Sequence, residues 1–181
     1  MRSSRDVARR RRTDNGRVSE ADEVDRIVDA WNTQRPDLDF SPLEVLSRMD
    51  RLSRHLDRAR REVFHRSDLE SWEWDVLSAL RRAGMPFQLS PKQLLQQTLV
   101  SSGTMTNRID RLVQRGLVVR EADPDDGRSV LVTLTDDGRL RVDAAITRLV
   151  DAEADLLHAL PRGDRERLAA LLRKLSLSFD A

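Results

Sequence analysis

The sequence has no cysteine and few aromatic residues, and both absences limit what the protein can be. Without cysteine the chain forms no disulfide and cannot sense redox state through a thiol, which fits a cytoplasmic location. Aromatic residues make up 4% of the 181 residues, whereas charged residues make up 35%. This composition argues against a β-sandwich and favours a soluble, helix-rich protein with many solvated faces.

Long apolar runs are absent as well. No stretch approaches the roughly 20 apolar residues that a membrane-spanning helix requires. The N-terminal segment is charged and has no apolar core, so a secretory signal is not expected either. The sequence therefore predicts a protein with no membrane among its partners.

Residues that carry catalysis or bind metals are sparse. His55, His65 and His158 have no metal-type pairing, and no glycine-rich phosphate loop is present. The run "DPDD" (123–126) is typical of a turn rather than of a catalytic carboxylate pair. Asp155 and His158 have a spacing that could ligate zinc, although a solvated helix face explains them better. The sequence thus predicts no enzyme, no resident cofactor and no metal.

Positive charge is concentrated at the N-terminus, although the whole chain carries a net charge of only +1. Residues 1–17 hold seven arginines against Asp6 and Asp14, including "RRRR" at 9–12. Their scarcity of apolar side chains predicts a disordered, solubilising arm over residues 1–18. An arm that lies along nucleic-acid phosphates is the alternative.

Hydrophobic periodicity predicts three helices in the first half of the chain. The first follows Ser19, the predicted N-cap, and a second begins near Pro42, after "RPDLDFSP" has broken the pattern. The third covers about residues 69–82 and stops at "AGMP". The apolar faces are Val24, Ile27, Val28 and Trp31 in the first helix, Leu43, Leu46, Met49, Leu52, Leu56, Ala59 and Val63 in the second, and Trp72, Trp74, Val76, Leu77 and Leu80 in the third.

Two further helices and a hairpin are predicted next. Ser90 caps a short helix that begins at Pro91, and "SSGTMTNRIDRLVQRGL" (101–117) forms another that Gly116 ends. Its predicted inward stripe is Met105, Ile109, Leu112 and Val113. The period then changes, and the β-rich runs 117–121 and 129–133 around "DPDDG" predict a β-hairpin.

Two helices complete the pattern. Thr135 is the predicted N-cap of a long helix that extends to about Leu160. "PRGD" interrupts it, and Asp164 is predicted to cap a last, leucine-rich helix. The fold class predicted from this order is mainly α with a small β-hairpin wing, a winged helix-turn-helix flanked by N- and C-terminal helices.

The helix in 101–117 has the residues that a DNA-recognition helix needs. In a helix-turn-helix the second helix enters the major groove and leads with its N-terminal residues. Hydroxyl, amide and guanidinium groups can donate to phosphates or read base edges, and a helix start that is small and polar suits a phosphate. We therefore predict contacts with double-stranded DNA from Ser101, Ser102, Thr104, Thr106, Asn107 and Arg111.

The stretch "LVSSGTMTNRIDRLVQRGLVVREADPDDGRSVLVTLTDDG" resembles the core of the MarR-type family of bacterial transcription regulators. The resemblance covers about residues 40–178 and is most specific in 90–135. In that family the wing carries an Asp-x-Arg motif, here Asp126-Gly127-Arg128, whose arginine enters the minor groove. Most relatives have a basic residue where this chain has Gly127, so a weaker contribution from the wing is expected.

The resemblance also implies a homodimer, a pseudo-palindromic operator and, most often, repression. It divides the chain into the arm, the extra helix with a first dimerisation helix (19–66), a winged helix-turn-helix lobe (67–134) and C-terminal dimerisation helices (135–181). The apolar residues on several sides of the helix in 135–160 agree independently, because a monomer would expose them. A winged-helix module that only contacts other proteins is the alternative.

An extra N-terminal helix with Trp31, followed by "EWDVLSALRRAGMP", resembles the urate-responsive subgroup of that family. Carried over, the effector pocket would use Trp31, Asp75, Arg108 and Arg120 to bind a small aromatic anion, urate or a related purine. Phenolic acids and lipophilic compounds are the other effector classes. Simple packing of Trp31, and a static ion pair between Asp75 and Arg108, are the structural alternatives.

Overall fold

The computed structural model describes residues 21–98, 101–124 and 129–179. The N-terminal arm predicted for residues 1–18 and the wing residue Arg128 lie outside these described residues. The described elements are α1 (Glu23–Gln34), α2 (Ser41–Arg66), α3 (Ser71–Arg82), β1 (Gln88–Leu89), α4 (Pro91–Thr98), α5 (Ser102–Gln114), β2 (Val118–Ala122), β3 (Val130–Leu134), α6 (Asp136–Leu156) and α7 (Arg162–Ser176).

The chain divides into two compact units, Met1–Leu52 and Ser53–Ala181. In the first unit the N-cap of α1 is Asp22, so the predicted cap at Ser19 is wrong. The Asp22 carboxylate accepts from the backbone N–H of Asp25, and the Asp25 carboxylate accepts from that of Asp22. This reciprocal capping box satisfies two helix-start donors at once, which fixes the start of α1 at Asp22.

The core of the second unit is formed by the apolar faces of α3, α4, α5 and α6, the end of α2 and the small sheet. Each large aliphatic side chain buried there contributes roughly 1.5–3 kcal/mol. Val113, which was predicted to join the α5 stripe, is 39% exposed, and that part of the prediction is wrong. The fully buried residues include Leu77, Leu80, Leu94, Met105, Ile109, Leu112, Leu117 and Val132.

The sheet has three antiparallel strands in the order β1-β3-β2. The predicted hairpin is confirmed as β2 and β3, each shifted by one residue, with Val119 opposite Thr133. The third strand, β1, was not predicted because two residues are too few to show a period. Gln88 of β1 donates a side-chain hydrogen bond of 2.9 Å to the hydroxyl of Thr133.

Most predicted helix ends agree with the structure. Ser90 and Thr135 cap their helices through side-chain oxygens, and Gly116 ends α5 with φ of +69°. The long helix α6 ends at Leu156 instead of about residue 160. The predicted cap at Asp164 is wrong because α7 already begins at Arg162, so that Asp164 lies in its first turn and Pro161 is the N-cap residue.

Several helices carry apolar side chains that the chain itself leaves exposed. In α2, Leu46 is 55% exposed and Leu52 is 64% exposed, and α7 has no buried residue. Further exposed side chains are Leu140, Ile146 and Val150 of α6 and Leu168, Leu171, Leu172 and Leu175 of α7. None of the described helices is long and apolar enough to cross a membrane.

Candidate DNA-binding and effector sites

The start of α5 is organised by Ser101. Its hydroxyl accepts from the backbone N–H of Thr104 at 3.4 Å and shares a hydrogen bond of 2.9 Å with the Thr104 hydroxyl. Ser101 therefore acts as the N-cap, while other N–H groups of the first turn remain without intrahelical acceptors. Such a helix start favours an anion, and no acidic residue lies in the first turn of α5 to oppose one.

The two sides of α5 have opposite character. Met105, Ile109 and Leu112 are buried, so the stripe holds the helix on the core. The Thr106 hydroxyl donates to the backbone carbonyl of Ser102 at 3.2 Å and is thus partly used within the helix. The predicted DNA-contacting residues Ser101, Ser102, Thr104, Thr106, Asn107 and Arg111 are all exposed.

Arg120 connects the wing strand β2 to α5. Its guanidinium forms an ion pair of 2.7 Å with Asp110 and reaches the backbone carbonyl of Thr106 at 3.4 Å. This residue was predicted to bind an effector. In the structure the Arg120 guanidinium is paired with the Asp110 carboxylate. A ligand that binds Arg120 would therefore have to break this ion pair.

Asp75 on α3 and Arg108 on α5 lie near enough to influence each other electrostatically. Partial desolvation raises the pKa of the Asp75 carboxyl, although the residue as a whole is exposed, while the charges of Arg108 and Arg82 act in the opposite direction. Within the described residues Asp75 and Arg108 form no ion pair with each other. Arg108 Nη1 is buried and has no hydrogen-bond partner among the protein atoms, a state that favours a ligand acceptor.

A cavity of about 340 Å³ lies beside Asp75. Its volume is within the range of roughly 300–1,000 Å³ that small-molecule sites occupy. Phe64 and Trp74 stack at 5.1 Å in its wall, and Arg60 is held by an ion pair of 2.7 Å with Glu153. These residues, with Asp57 and Arg61, were missed because a helical period shows which face is apolar and not which charged residues converge across helices.

Trp31 belongs to the first unit, whereas Asp75, Arg108 and Arg120 belong to the second. Its indole stacks on Phe40 at 5.9 Å and remains 49% exposed. Of the four predicted effector residues, the structure thus brings Asp75 and Arg108 under mutual electrostatic influence and pairs Arg120 with another partner.

No group of three or more His, Cys, Asp or Glu residues in the described part of the chain is arranged to hold a metal ion. The spacing of Asp155 and His158 has a different explanation. His158 Nδ1 lies 2.7 Å from the backbone carbonyl oxygen of Asp155, not from its carboxylate.

A buried stripe, an exposed polar helix face and an adjoining β-hairpin define a winged helix-turn-helix DNA-binding protein. Residues 67–129 match the model of the MarR family. The transcriptional regulator PecS of Dickeya dadantii is 37% identical over 153 residues, which span 84% of this chain and 92% of PecS. The chain belongs to the MarR family and is a DNA-binding transcriptional regulator, not an enzyme.

Two solved structures show the same fold. MarR of Escherichia coli in complex with operator DNA is 28% identical with a TM-score of 0.62, over 80% of this chain and 96% of that one. BpsR of Bordetella bronchiseptica, whose DNA binding is regulated by 6-hydroxynicotinic acid, is 29% identical with a TM-score of 0.63, over 77% and 96%. The predicted fold class, mainly helical with a small β wing, is confirmed.

Proposed function

We propose that the protein is a ligand-responsive repressor that binds a pseudo-palindromic operator as a homodimer. A small aromatic anion, urate or a related purine, releases it from DNA. The observation that carries the proposal is the exposed polar face of α5 above a buried apolar stripe. That arrangement presents donors to a groove while the helix stays fixed to the core.

The DNA contacts are assigned to the exposed side of α5 and to the wing. Ser102, Thr104, Asn107 and Arg111 approach the major groove, where hydroxyl, amide and guanidinium groups read base edges or hold phosphates. Arg128 is assigned to the minor groove from the family motif alone. The solved complex of Escherichia coli MarR with operator DNA supports DNA as the partner of this fold.

Dimerisation would cover the exposed apolar side chains of α6 and α7. Exposed leucines in this number are typical of an interface, and a two-fold axis places two recognition helices about 34–36 Å apart. We expect light scattering after size exclusion to give a dimer mass. Leu171→Glu, at a 66% exposed site, should yield monomers, whereas Leu38→Glu in the loop before α2 should not.

The effector is assigned to the cavity beside Asp75 and to Arg108, which lines a separate cleft and not that cavity. An anion would accept the hydrogen bond that Arg108 Nη1 does not make within the protein. The negative charge of an ionised Asp75 would repel the same anion. Because Arg108 lies on the recognition helix, a ligand that draws on it would change DNA affinity, and DNA would change ligand affinity by the same factor. Trp31 remains a predicted stacking partner.

The charge around the cavity favours a polar anion over a lipophilic compound. Arg60 and Arg61 line the wall, and the stacked pair Phe64–Trp74 offers an aromatic surface to a planar ring. The regulation of BpsR by an aromatic heterocyclic acid supports this class. Phenolic acids share the charge and ring and are the second candidates.

The test begins with selection of a duplex from a random library by the wild-type protein. Gel shifts with that duplex should show a palindromic preference and an affinity that falls steeply with salt through counterion release. Flat salt dependence, or equal affinity for a random duplex, would contradict specific DNA recognition.

Titration calorimetry with urate, xanthine and 6-hydroxynicotinate then tests the effector. We expect binding that Arg108→Ala and Trp31→Ala weaken at least about tenfold, equivalent to ~1.4 kcal/mol, and that releases the selected duplex. Arg162→Ala on α7 is the matched control, since the Arg162 side chain is 94% exposed and distant in sequence from the site. If titration with urate and with xanthine gives no heat of binding, the proposal that the effector is a purine is excluded.

A further inference from the structure

Two tryptophans at the start of α3 have different surroundings. Trp74 stacks on Phe64 at 5.1 Å and lines the cavity beside Asp75. Trp72 instead lies beside the recognition helix, where the guanidinium carbons of Arg111 and Arg108 are 4.7 and 5.8 Å from its ring centre. Both distances are those of a cation on an aromatic face.

The two arginines are three residues apart on α5 and therefore share one side of the helix. Like charges at this spacing repel each other, and the negative face of the indole offsets that repulsion. Trp72 also packs against the hydrophobic core, so its ring is fixed independently of the arginines. A rigid aromatic surface beside two long, flexible cations restricts the directions that they can take.

The contact lies beside Thr104, Asn107 and Arg111, which are assigned to DNA, whereas Arg108 is assigned to the effector. Trp72, Thr104, Asn107, Arg108 and Arg111 line one small cleft of about 160 Å³. Trp72 is the member of this group that does not come from α5.

Arg111 differs from the neighbouring arginines in its partner. Arg115 and Arg120 are paired with carboxylates, whereas within the described residues Arg111 has the indole as its contact and no ion pair. A carboxylate would neutralise the charge and occupy the N–H donors. An aromatic ring restrains the arginine side chain but leaves its charge and its N–H donors available to a phosphate or a base edge.

We propose that Trp72 is a positioning residue for DNA recognition, which holds Arg111, and more weakly Arg108, in the direction from which α5 meets the groove. The inference rests on the proposed role of Arg111 in DNA contact. It assigns to an α3 residue, outside the helix-turn-helix, a share of the affinity and the sequence preference.

A double-mutant cycle tests the coupling between Trp72 and Arg111, with binding of the selected duplex followed by fluorescence anisotropy. Trp72→Leu keeps apolar volume and removes the aromatic face, and we expect about tenfold weaker binding. In an Arg111→Ala background the same change should cost less than about twofold. Trp72→Phe retains an aromatic face and should stay within about threefold of wild type.

The preference for the selected duplex over a random one separates positioning from packing. Trp72→Leu should reduce that ratio, and thermal unfolding monitored by circular dichroism reports any loss of the fold. Trp74→Phe is the matched control, and its effect should add independently to that of Arg111→Ala. If Trp72→Leu does not fold, the cycle with Trp72→Phe should still show about twofold coupling.

Equal losses from the Trp72 change with and without Arg111, or no loss at all, would overturn the inference. Wild-type protein that selects no duplex would instead overturn the proposed function, so the two failures are distinguishable.

Discussion

The carboxylate of Glu73, 2% exposed, forms an ion pair of 2.5 Å with Arg115. Glu73 lies in the first turn of α3, and Arg115 is the C-cap residue of the recognition helix. The pair therefore connects the end of the DNA-contacting helix to the helix that carries Asp75. Arg115 also contacts Asp68 at 2.7 Å, and Asp68 pairs in turn with Arg141 of α6.

Arg115→Met should destabilise the fold because it leaves the buried Glu73 carboxylate without a cation. Loss of one partner of a fully buried pair costs roughly 3–5 kcal/mol. Since a third of the Arg115 side chain is solvated, we expect about 2–3 kcal/mol in urea unfolding.

Two comparisons make this prediction specific. Arg66→Met breaks an ion pair with Glu62 in which both side chains are largely exposed, and it should cost about 0–0.5 kcal/mol. Adding Glu73→Gln to Arg115→Met should restore part of the stability, because the buried charge is then removed. Equal losses in Arg115→Met and Arg66→Met would contradict the importance of burial.

Gly138→Ala should destabilise the protein severely. A Cβ atom at Gly138 in the first turn of α6 would lie 2.1 Å from the backbone oxygen of Leu117, which cannot move as a side chain can. We expect a loss of about 3 kcal/mol, the upper end of overpacking costs. Gly163→Ala in α7, where a Cβ meets nothing within 4 Å, should instead stabilise by up to about 1 kcal/mol.

Much of the architecture was predictable from the sequence. The stripe Met105–Ile109–Leu112, the cap at Thr135 and the stop at Gly116 each follow from local chemistry that acts within a few residues, and each is observed. Burial was wrongly predicted for Val113 because hydrophobic periodicity indicates the centre of a buried helix face better than its edges. The cap at Asp22 was missed because the hydroxyl of Ser19 was predicted as the cap. The reciprocal pair Asp22–Asp25 forms the capping box instead.

The site was less predictable than the fold. Arg108 and Asp75 were found through a family resemblance, whereas the convergence of Arg60, Phe64 and Trp74 on the cavity beside Asp75 depends on packing between helices. Hydrophobic periodicity along one helix carries no information about packing between helices.

Gly103→Ala separates stability from DNA recognition. Gly103 is in the first turn of α5, and a Cβ there meets nothing within 4 Å, so the fold should be unchanged or slightly more stable in thermal unfolding. The added methyl group would stand between the helix start and the nucleic acid. We expect about tenfold weaker binding of the selected duplex, or ~1.4 kcal/mol. The same change at Gly163 should leave binding unaltered, and unaltered binding in Gly103→Ala would place the helix start away from DNA.

Asp75→Asn should stabilise the protein at neutral pH. Partial desolvation raises the pKa of Asp75 in the fold, so the folded state holds this proton to a higher pH than the unfolded chain. Ionisation therefore destabilises the fold as pH rises above the ordinary aspartate range near ~3.9. Urea midpoints should be higher for Asp75→Asn at pH 7 and should approach wild type when both states are protonated. A difference that is independent of pH would contradict this assignment.

Acid should loosen α1 within the first unit through Asp22. Hydrogen bonds from Arg48, and then from the backbone N–H of Asp25, lower the pKa of Asp22 to about 2. A carboxyl with a lowered pKa stabilises the fold above its unfolded pKa of ~3.9, and this contribution is lost as pH falls through about 4 to 2. We expect the protection of the helical backbone N–H of Trp31 against hydrogen exchange, followed by NMR, to decrease across that window. Arg48→Met should show fast exchange already at neutral pH, whereas Arg35→Met, which breaks the exposed pair with Asp37, should behave like wild type. Protection of Trp31 that survives Arg48→Met would mean that apolar packing alone holds α1.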